Sequence, residues 1–454
     1  MNAGAISSMH DLRKQALGLE SGKTMSRKAR SKLGTPSPGG SRSNSAAPSR
    51  SGSRVPSRNV SDDEGDFSDG TQWSTNSIDE MIAPGDADDE ASETWISDLN
   101  DRMNEIIDRK RSSAEGREQT LVGFISHLTR HYAQDQIKHK MGELVPSILK
   151  SVKSGQTERE TVLALRALGM ILITDPRDEV YDTVADTFKR SINDGEYVAV
   201  KIAGIRSLSA ATFYGGASTE EVEEVMDLFL DIVSSDGAVV EAPDNAEIVT
   251  AALEEWGFLA TQLEDMEETT EAAMDTFVDQ LESGDVDVRV AAGENIALLF
   301  EKSYTDVEPG DDVEKLDPND VETGHGQPTM IKRYTVYRQK PLLQSTLESL
   351  AKASSKRLSK KDRKQLHTAF ADIAHTVEKP TRGPRYSTAL DEDGREYGSR
   401  MKVNLGAGSI MTIDAWWKLA RFQGLKRLLQ AGFLVHYEFN EAVYESLPVV
   451  VDDE

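Results

Sequence analysis

A chain of 454 residues with 52 Lys and Arg against 78 Asp and Glu carries a formal charge of −26, and only 38% of it is hydrophobic and 6% aromatic, so the core it can build is lean. The length fits two or three domains, or one repeat array with tails. The lack of cysteine excludes a disulfide scaffold, a thiolate zinc site and a cysteine nucleophile. The N-terminus has no apolar signal core, and the densest apolar run, Leu168–Ile173, is far short of the roughly 20 residues of a membrane span, so a soluble chain of the cytoplasm and nucleus is expected.

Charge is sorted along the chain. Residues 1–60 hold 11 basic and 2 acidic side chains, 61–94 none and 12, 95–215 17 of each, 216–325 3 and 32, and 326–454 21 and 15. Blocks of opposite sign point to separate surfaces. The first 60 residues include 13 Ser, 7 Gly and 4 Pro and little to bury, which predicts a disordered basic tail. Within it, Lys23–Lys32 (KTMSRKARSK) has the clustered cations of an import signal. Residues 61–90 read as a disordered acidic segment in which Phe67, Trp73, Ile78, Met81 and Ile82 stand among carboxylates. Ser57, Ser61 and Ser68 have the charged neighbours of phosphorylation sites.

From residue 91 the apolar spacing becomes helical, beginning with Trp95, Leu99 and Met103. Helices are predicted over about 118–132, 138–153, 158–173, 178–192, 198–213, 219–234, 246–262, 267–282 and 287–302, separated by breakers such as Ser154-Gly155, Asp194-Gly195 and Ser283-Gly284. First helices recur at roughly 40 to 48 residues, the period of HEAT and armadillo repeats, so 91–302 is read as an all-α solenoid of paired helices. One such pair cannot bury its own stripe, and stacking makes a continuous core. Gly123, Gly169, Gly204, Gly257 and Gly293 inside first helices imply close helix approach. Residues 303–330 are expected to be an acidic loop, and 331–400 a basic segment with helices at about 341–354 and 359–377 and then a linker. A small, mainly helical C-terminal domain, 401–447, has a short hairpin around Gly406-Ala407-Gly408 and a helix capped by Asp414, and 448–454 is an acidic tail.

Three stretches carry a family resemblance. Asp287 to Glu301 (DVRVAAGENIALLFE), with Arg289, Ala291, Ala292, Gly293 and Glu294, is a VRxAA helix; Lys360–Gln365 (KKDRKQ) is a basic run ahead of Phe370 and Ile373; and Asp414, Trp416, Arg421, Gly432 and His436 mark the C-terminal unit. Taken in order they resemble the interferon-related developmental regulator family over about 60–446. The resemblance implies a non-enzymatic protein of gene regulation: a transcriptional co-regulator with co-repressor or chromatin complexes as protein partners, or a ribosome-binding repressor of translation. Animal members run on into a basic tail where this chain has Val451–Glu454, so an activity that needs that tail is not expected here.

The residues themselves offer little catalytic chemistry. His127 and His131 stand i, i+4 but lack HExxH and a third ligand, there is no GxSxG elbow, and the glycine pairs lack a phosphate-loop lysine. No cofactor, metal, small-molecule substrate or membrane is expected. Leu425, Leu428 and Leu429 spell LxxLL, a docking motif that is equally the apolar stripe of a helix. Residues 326–430 hold 21 basic and 9 acidic side chains. Lys332, Arg333, Arg338, Lys340, Lys356, Arg357, Lys360, Lys361, Arg363 and Lys364, with Tyr334 and Tyr337 interleaved, are the candidate contacts to RNA, the ribosome or a protein partner.

Overall fold

The computed structural model describes residues 94–109, 112–324, 327–352, 360–390, 394, 396–406, 409–448 and 451–452, all within one compact unit. The import-like run, Ser57, Ser61, Ser68, the acidic segment 61–90, Lys356 and Arg357 lie outside the described residues.

Helices begin where a short polar side chain meets the free amides of a first turn. The Thr157 hydroxyl accepts from the Glu160 amide at the head of α5 (Glu158–Thr174), Asn245 caps α9 (Ala246–Ala260), and Asp285 accepts from two amides of α11 (Val286–Lys302). Ser218 and Glu221 complete a reciprocal capping box at α8 (Thr219–Ser234). The remaining helices of the array are α1 (Thr94–Ile107), α2 (Ala114–Arg130), the short α3 (Gln134–Ile137), α4 (Met141–Ser154), α6 (Val180–Asp194), α7 (Val198–Tyr214) and α10 (Glu267–Gln280). The predicted solenoid is therefore present, and it continues through α12 (Lys340–Lys352) and α13 (Lys360–Glu378).

Successive helices α2, α5, α7, α9, α11 and α13 lie side by side in one row, and α4, α6, α8 and α10 back them in a second. Phe124, Phe188, Phe229, Trp256, Phe277 and Phe370 are fully buried between and within the rows. At α4 and α5 the packing is ionic as well. The buried Glu160 carboxylate accepts from Arg117 Nε and Nη2 at 2.7 Å, Arg109 Nη2 at 2.9 Å, Ser151 Oγ at 2.8 Å and the Gln156 amide at 3.1 Å. Burial alone would raise its pKa, but the Arg117 hydrogen bonds and then those from Gln156 and Ser151 hold it below the usual carboxylate range.

Residues 303–330 are not a plain loop. Strands β1 (Tyr304–Asp306), β2 (Val321–Gly324) and β3 (Gln327–Lys332) form an antiparallel sheet in the order β1-β3-β2, with Tyr304 opposite Lys332 and Val321 opposite Ile331. Alternation is hard to see in the sequence because, among the residues of the three strands whose burial is described, only Ile331 is buried. Arg333 does the tethering: it grips Asp311 at 2.8 Å and donates to Thr305 Oγ1 and the Asp306 carbonyl.

Beyond α13 come the hairpin β4 (Tyr386–Leu390) and β5 (Glu396–Ser399), then β6 (Met401–Gly406) and β7 (Ser409–Ile413), the hairpin expected there. Helices α14 (Trp416–Leu429), α15 (Phe433–Phe439) and α16 (Glu441–Ser446) follow. In the stretch expected to be an acidic tail, β8 (Val451–Asp452) pairs with β7 as a third strand.

Candidate functional site

In an open solenoid the inner row of helices, here α2, α5, α7, α9, α11 and α13, presents a long face to partners. Here that face is covered by the chain itself. Helix α14 crosses α9, α11 and α5, α16 reaches α5, and the turn Gln430–Gly432 rests on α2. This third layer explains why α5 and α7 are apolar nearly all round: a helix packed on both sides needs no wet face. From Leu163 to Thr174 on α5 every residue but Arg166 is buried, and Arg166 hydrogen-bonds Gln430.

Polar groups fix the layer in register. Glu301 at the end of α11 accepts the amides of Trp416 at 2.6 Å and Trp417 at 2.9 Å, so the cap of α14 comes from another helix. This corrects the expected role of Asp414, whose carboxylate pairs instead with Lys418, one turn on; Ala415 holds the N-cap position without a side-chain bond. Trp416 Nε1 donates to Thr376 Oγ1 at 2.7 Å, tying α14 to α13. Arg421 donates to Thr261 and to the Ser446 carbonyl, and Arg427 donates to Glu255 at 2.8 Å and lies 3.6 Å from Glu254. His436 donates to the Leu128 carbonyl and Asn440 to that of Ile173.

The VRxAA residues serve this packing. Ala291, Ala292 and Gly293 are buried, and a Cβ at Gly293 would stand 2.7 Å from Ile373 and 3.1 Å from Phe370 of α13. Glu294 turns toward α14: burial pushes its pKa up to about 7 despite a hydrogen bond from Gln423. The LxxLL leucines are inside, with Leu425 and Leu429 fully buried and Leu428 against Gly169, so they are packing residues. Gly432 is needed because a Cβ there would lie 2.0 Å from the Thr129 carbonyl oxygen.

The candidate basic residues separate into two kinds. Lys332 pairs with Asp320 and Arg333 with Asp311, within the sheet that follows α11. Lys340 stands over the Phe300 ring. Tyr334 and Tyr337 pack against the core, and the Tyr334 hydroxyl meets Thr270, so neither is an open platform for a base. Arg338 is exposed. Lys360, Lys361, Arg363 and Lys364 share the first turns of α13, the helix whose Leu366, Phe370, Ile373 and Val377 are buried. Farther along, Arg421 and Arg427 belong to the covered face, and Arg382 and Arg385 pair with Glu396 and Asp372. The start of α13 brings four of the candidate cations together along one stretch of chain, with Lys364 exposed.

The acidic counterpart is on the second row, where Glu220, Glu223, Glu224, Asp227 and Asp231 are exposed on α8. His131 stacks on Trp95 with ring centroids 4.2 Å apart, and burial lowers its pKa and that of His127. Among the described residues no His, Cys, Asp and Glu group is arranged to hold a metal, and no helix is long and apolar enough to cross a membrane.

The model of the family described as interferon-related developmental regulator matches residues 67–378, from the acidic segment to the last residue of α13. The chain belongs to the interferon-related developmental regulator family. Interferon-related developmental regulator 1 of Sus scrofa is 24% identical over 378 residues, which are 78% of this chain and 73% of that protein; its Homo sapiens counterpart is 22% identical over the same shares. An uncharacterized protein of Schizosaccharomyces pombe is 28% identical over 348 residues, 76% of this chain and 73% of its own length. The family match thus takes in both rows of the array, including the basic start of α13, while α14–α16 lie beyond its end.

Proposed function

We propose that this regulator is a non-enzymatic adaptor that co-regulates transcription through protein–protein contacts, working in both nucleus and cytoplasm. One observation carries the reading. The inner face is covered by α14–α16, so the reading places recognition on the exposed carboxylates of α8 and on the cation-rich stretch that opens α13. Complementary charge of this kind sets partner choice and encounter rate more than raw affinity. The partners are co-repressor or chromatin complexes, and no cofactor or small-molecule substrate takes part.

A second reading is favoured by Lys360, Lys361, Arg363 and Lys364, four cations within five residues: a ribosome-associated repressor of translation that uses α13 on RNA phosphates. One experiment separates them. Tagged protein is sedimented through sucrose gradients with and without RNase, and in parallel captured from nuclear extract. The first reading predicts recovery with a chromatin-modifying complex and RNase-insensitive sedimentation. It is refuted if the protein travels with ribosomes and glutamine at the four α13 positions releases it while leaving the nuclear capture empty.

A further inference from the structure

Helix α12 leans on α13 more than on α10, and this opens a cleft of about 380 Å³ where the end of α10, the start of α11 and the middle of α12 meet. Its apolar lining is Leu281 and Leu350, and its polar lining is Arg289 with Ser345, Thr346 and Ser349. The volume is near the low end of ligand pockets, room for one side chain lying across the rim.

Arg289 is held by one bond, from Nε to the Asp285 carbonyl at 3.1 Å within its own helix. No described carboxylate pairs with it, so its two terminal nitrogens remain to donate. The three hydroxyls stand at i, i+1 and i+4 of α12, and no described residue engages them. A guanidinium edge beside a row of hydroxyls matches a tetrahedral oxyanion, which offers more acceptor oxygens than a carboxylate. The surroundings select its carrier. Glu282 lines the same cleft, and Asp279 and Asp275 are exposed farther back on α10, so a run of phosphates is repelled and a lone phosphate flanked by cations is favoured.

We propose that this cleft binds a phosphoserine or phosphothreonine flanked by Lys or Arg in a partner polypeptide. The proposal deepens the protein-contact reading, and a peptide assay on the purified chain fails independently of any capture from extract. The full chain is titrated by fluorescence anisotropy with the labelled peptide Lys-Ala-Ala-phosphoserine-Ala-Lys, its unphosphorylated twin, and a short oligouridylate. The phosphopeptide is expected to bind at least about tenfold tighter than its twin, as two charge-assisted bonds would give. Arg289→Gln should erase that preference. So should the double variant Ser345→Asp with Ser349→Asp, which changes two exposed positions and leaves the helix packing alone. Equal affinity for the two peptides overturns the proposal, as does a preference that survives the double variant. Oligouridylate that outcompetes the phosphopeptide, and that the double variant no longer binds, would assign the cleft to RNA instead.

Discussion

Replacing Arg427 with alanine should loosen the C-terminal layer more than any other single truncation on α14. The side chain is 3% exposed and its partner Glu255 6%, so both charges sit where water cannot take over. The substitution removes the 2.8 Å bond to Glu255, the contact with Glu254 at 3.6 Å and the bond to the Glu254 carbonyl at 3.2 Å. Breaking one half of a buried pair costs about 3–5 kcal/mol, mostly because the other charge is stranded. Glu254 is 22% exposed and can turn outward, so the lower end of that range is expected. Urea unfolding followed by tryptophan fluorescence suits the measurement, since Trp416 and Trp417 report on the layer. Arg427→Met combined with Glu255→Leu should recover most of the loss, because an apolar pair of similar volume has no charge to desolvate. A midpoint shift worth less than about 1 kcal/mol for Arg427→Ala, or a double variant no better than the single, would refute the assignment of a buried pair.

Glu160→Ala should cost a similar amount, about 3–5 kcal/mol, since it strands Arg109 and Arg117. Because the folded pKa of Glu160 is lowered, its contribution is present above the ordinary carboxylate pKa and is lost as pH falls through the folded value. The variant's deficit should therefore shrink on acidification, and a deficit unchanged down to pH 3 would contradict this. Glu294 works in the opposite sense: with its pKa raised from 4.5 to about 7, stability is fullest below 4.5 and declines as pH rises through about 7. Glu294→Gln should raise the unfolding midpoint at pH 8 by about 1–3 kcal/mol and leave pH 4 unchanged; a lower midpoint at pH 8 would count against it. Gly432→Ala should be worse than Gly293→Ala, because the first meets a backbone oxygen at 2.0 Å and the second the movable ends of Ile373 and Phe370. Each is expected to fall within about 1–3 kcal/mol, and the reverse order in thermal melts would show that α13 is the stiffer contact.

The array was legible because its punctuation is local. Ser154-Gly155 and Asp194-Gly195 end helices by backbone chemistry, and the 219–234 helix falls on its predicted residues. What escaped was set by residues far apart in the chain. Asp414 has the right type and position for a cap, but Glu301, 115 residues before Trp416, reaches the same amides first. The β1-β3-β2 sheet rests on Arg333 and Asp311 rather than on an alternating apolar face, so its strands resemble loop. The covered face did leave a trace. Arg166, Glu254 and Glu294 stand 88 and 40 residues apart, about two repeats and then one, and meet Gln430, Arg427 and Gln423 in turn, and α5 is too apolar for a helix with a wet side. The candidate basic stretch was overcounted for a related reason: a charge total does not reveal that Lys332, Arg333, Arg421 and Arg427 are occupied within the fold.

The account rests on α14–α16 being an integral layer over the inner row. Hydrogen exchange on the full chain tests this directly, since amides that open together report one cooperative unit. The structure predicts that α14 exchanges as slowly as α7 and α9, and that Arg427→Ala speeds exchange in α14 and α9 together while α1 and α2 keep their protection. Fast exchange throughout 416–446 in the unaltered chain, with α7 and α9 fully protected, would show that the C-terminal helices come and go from a face that is open to partners.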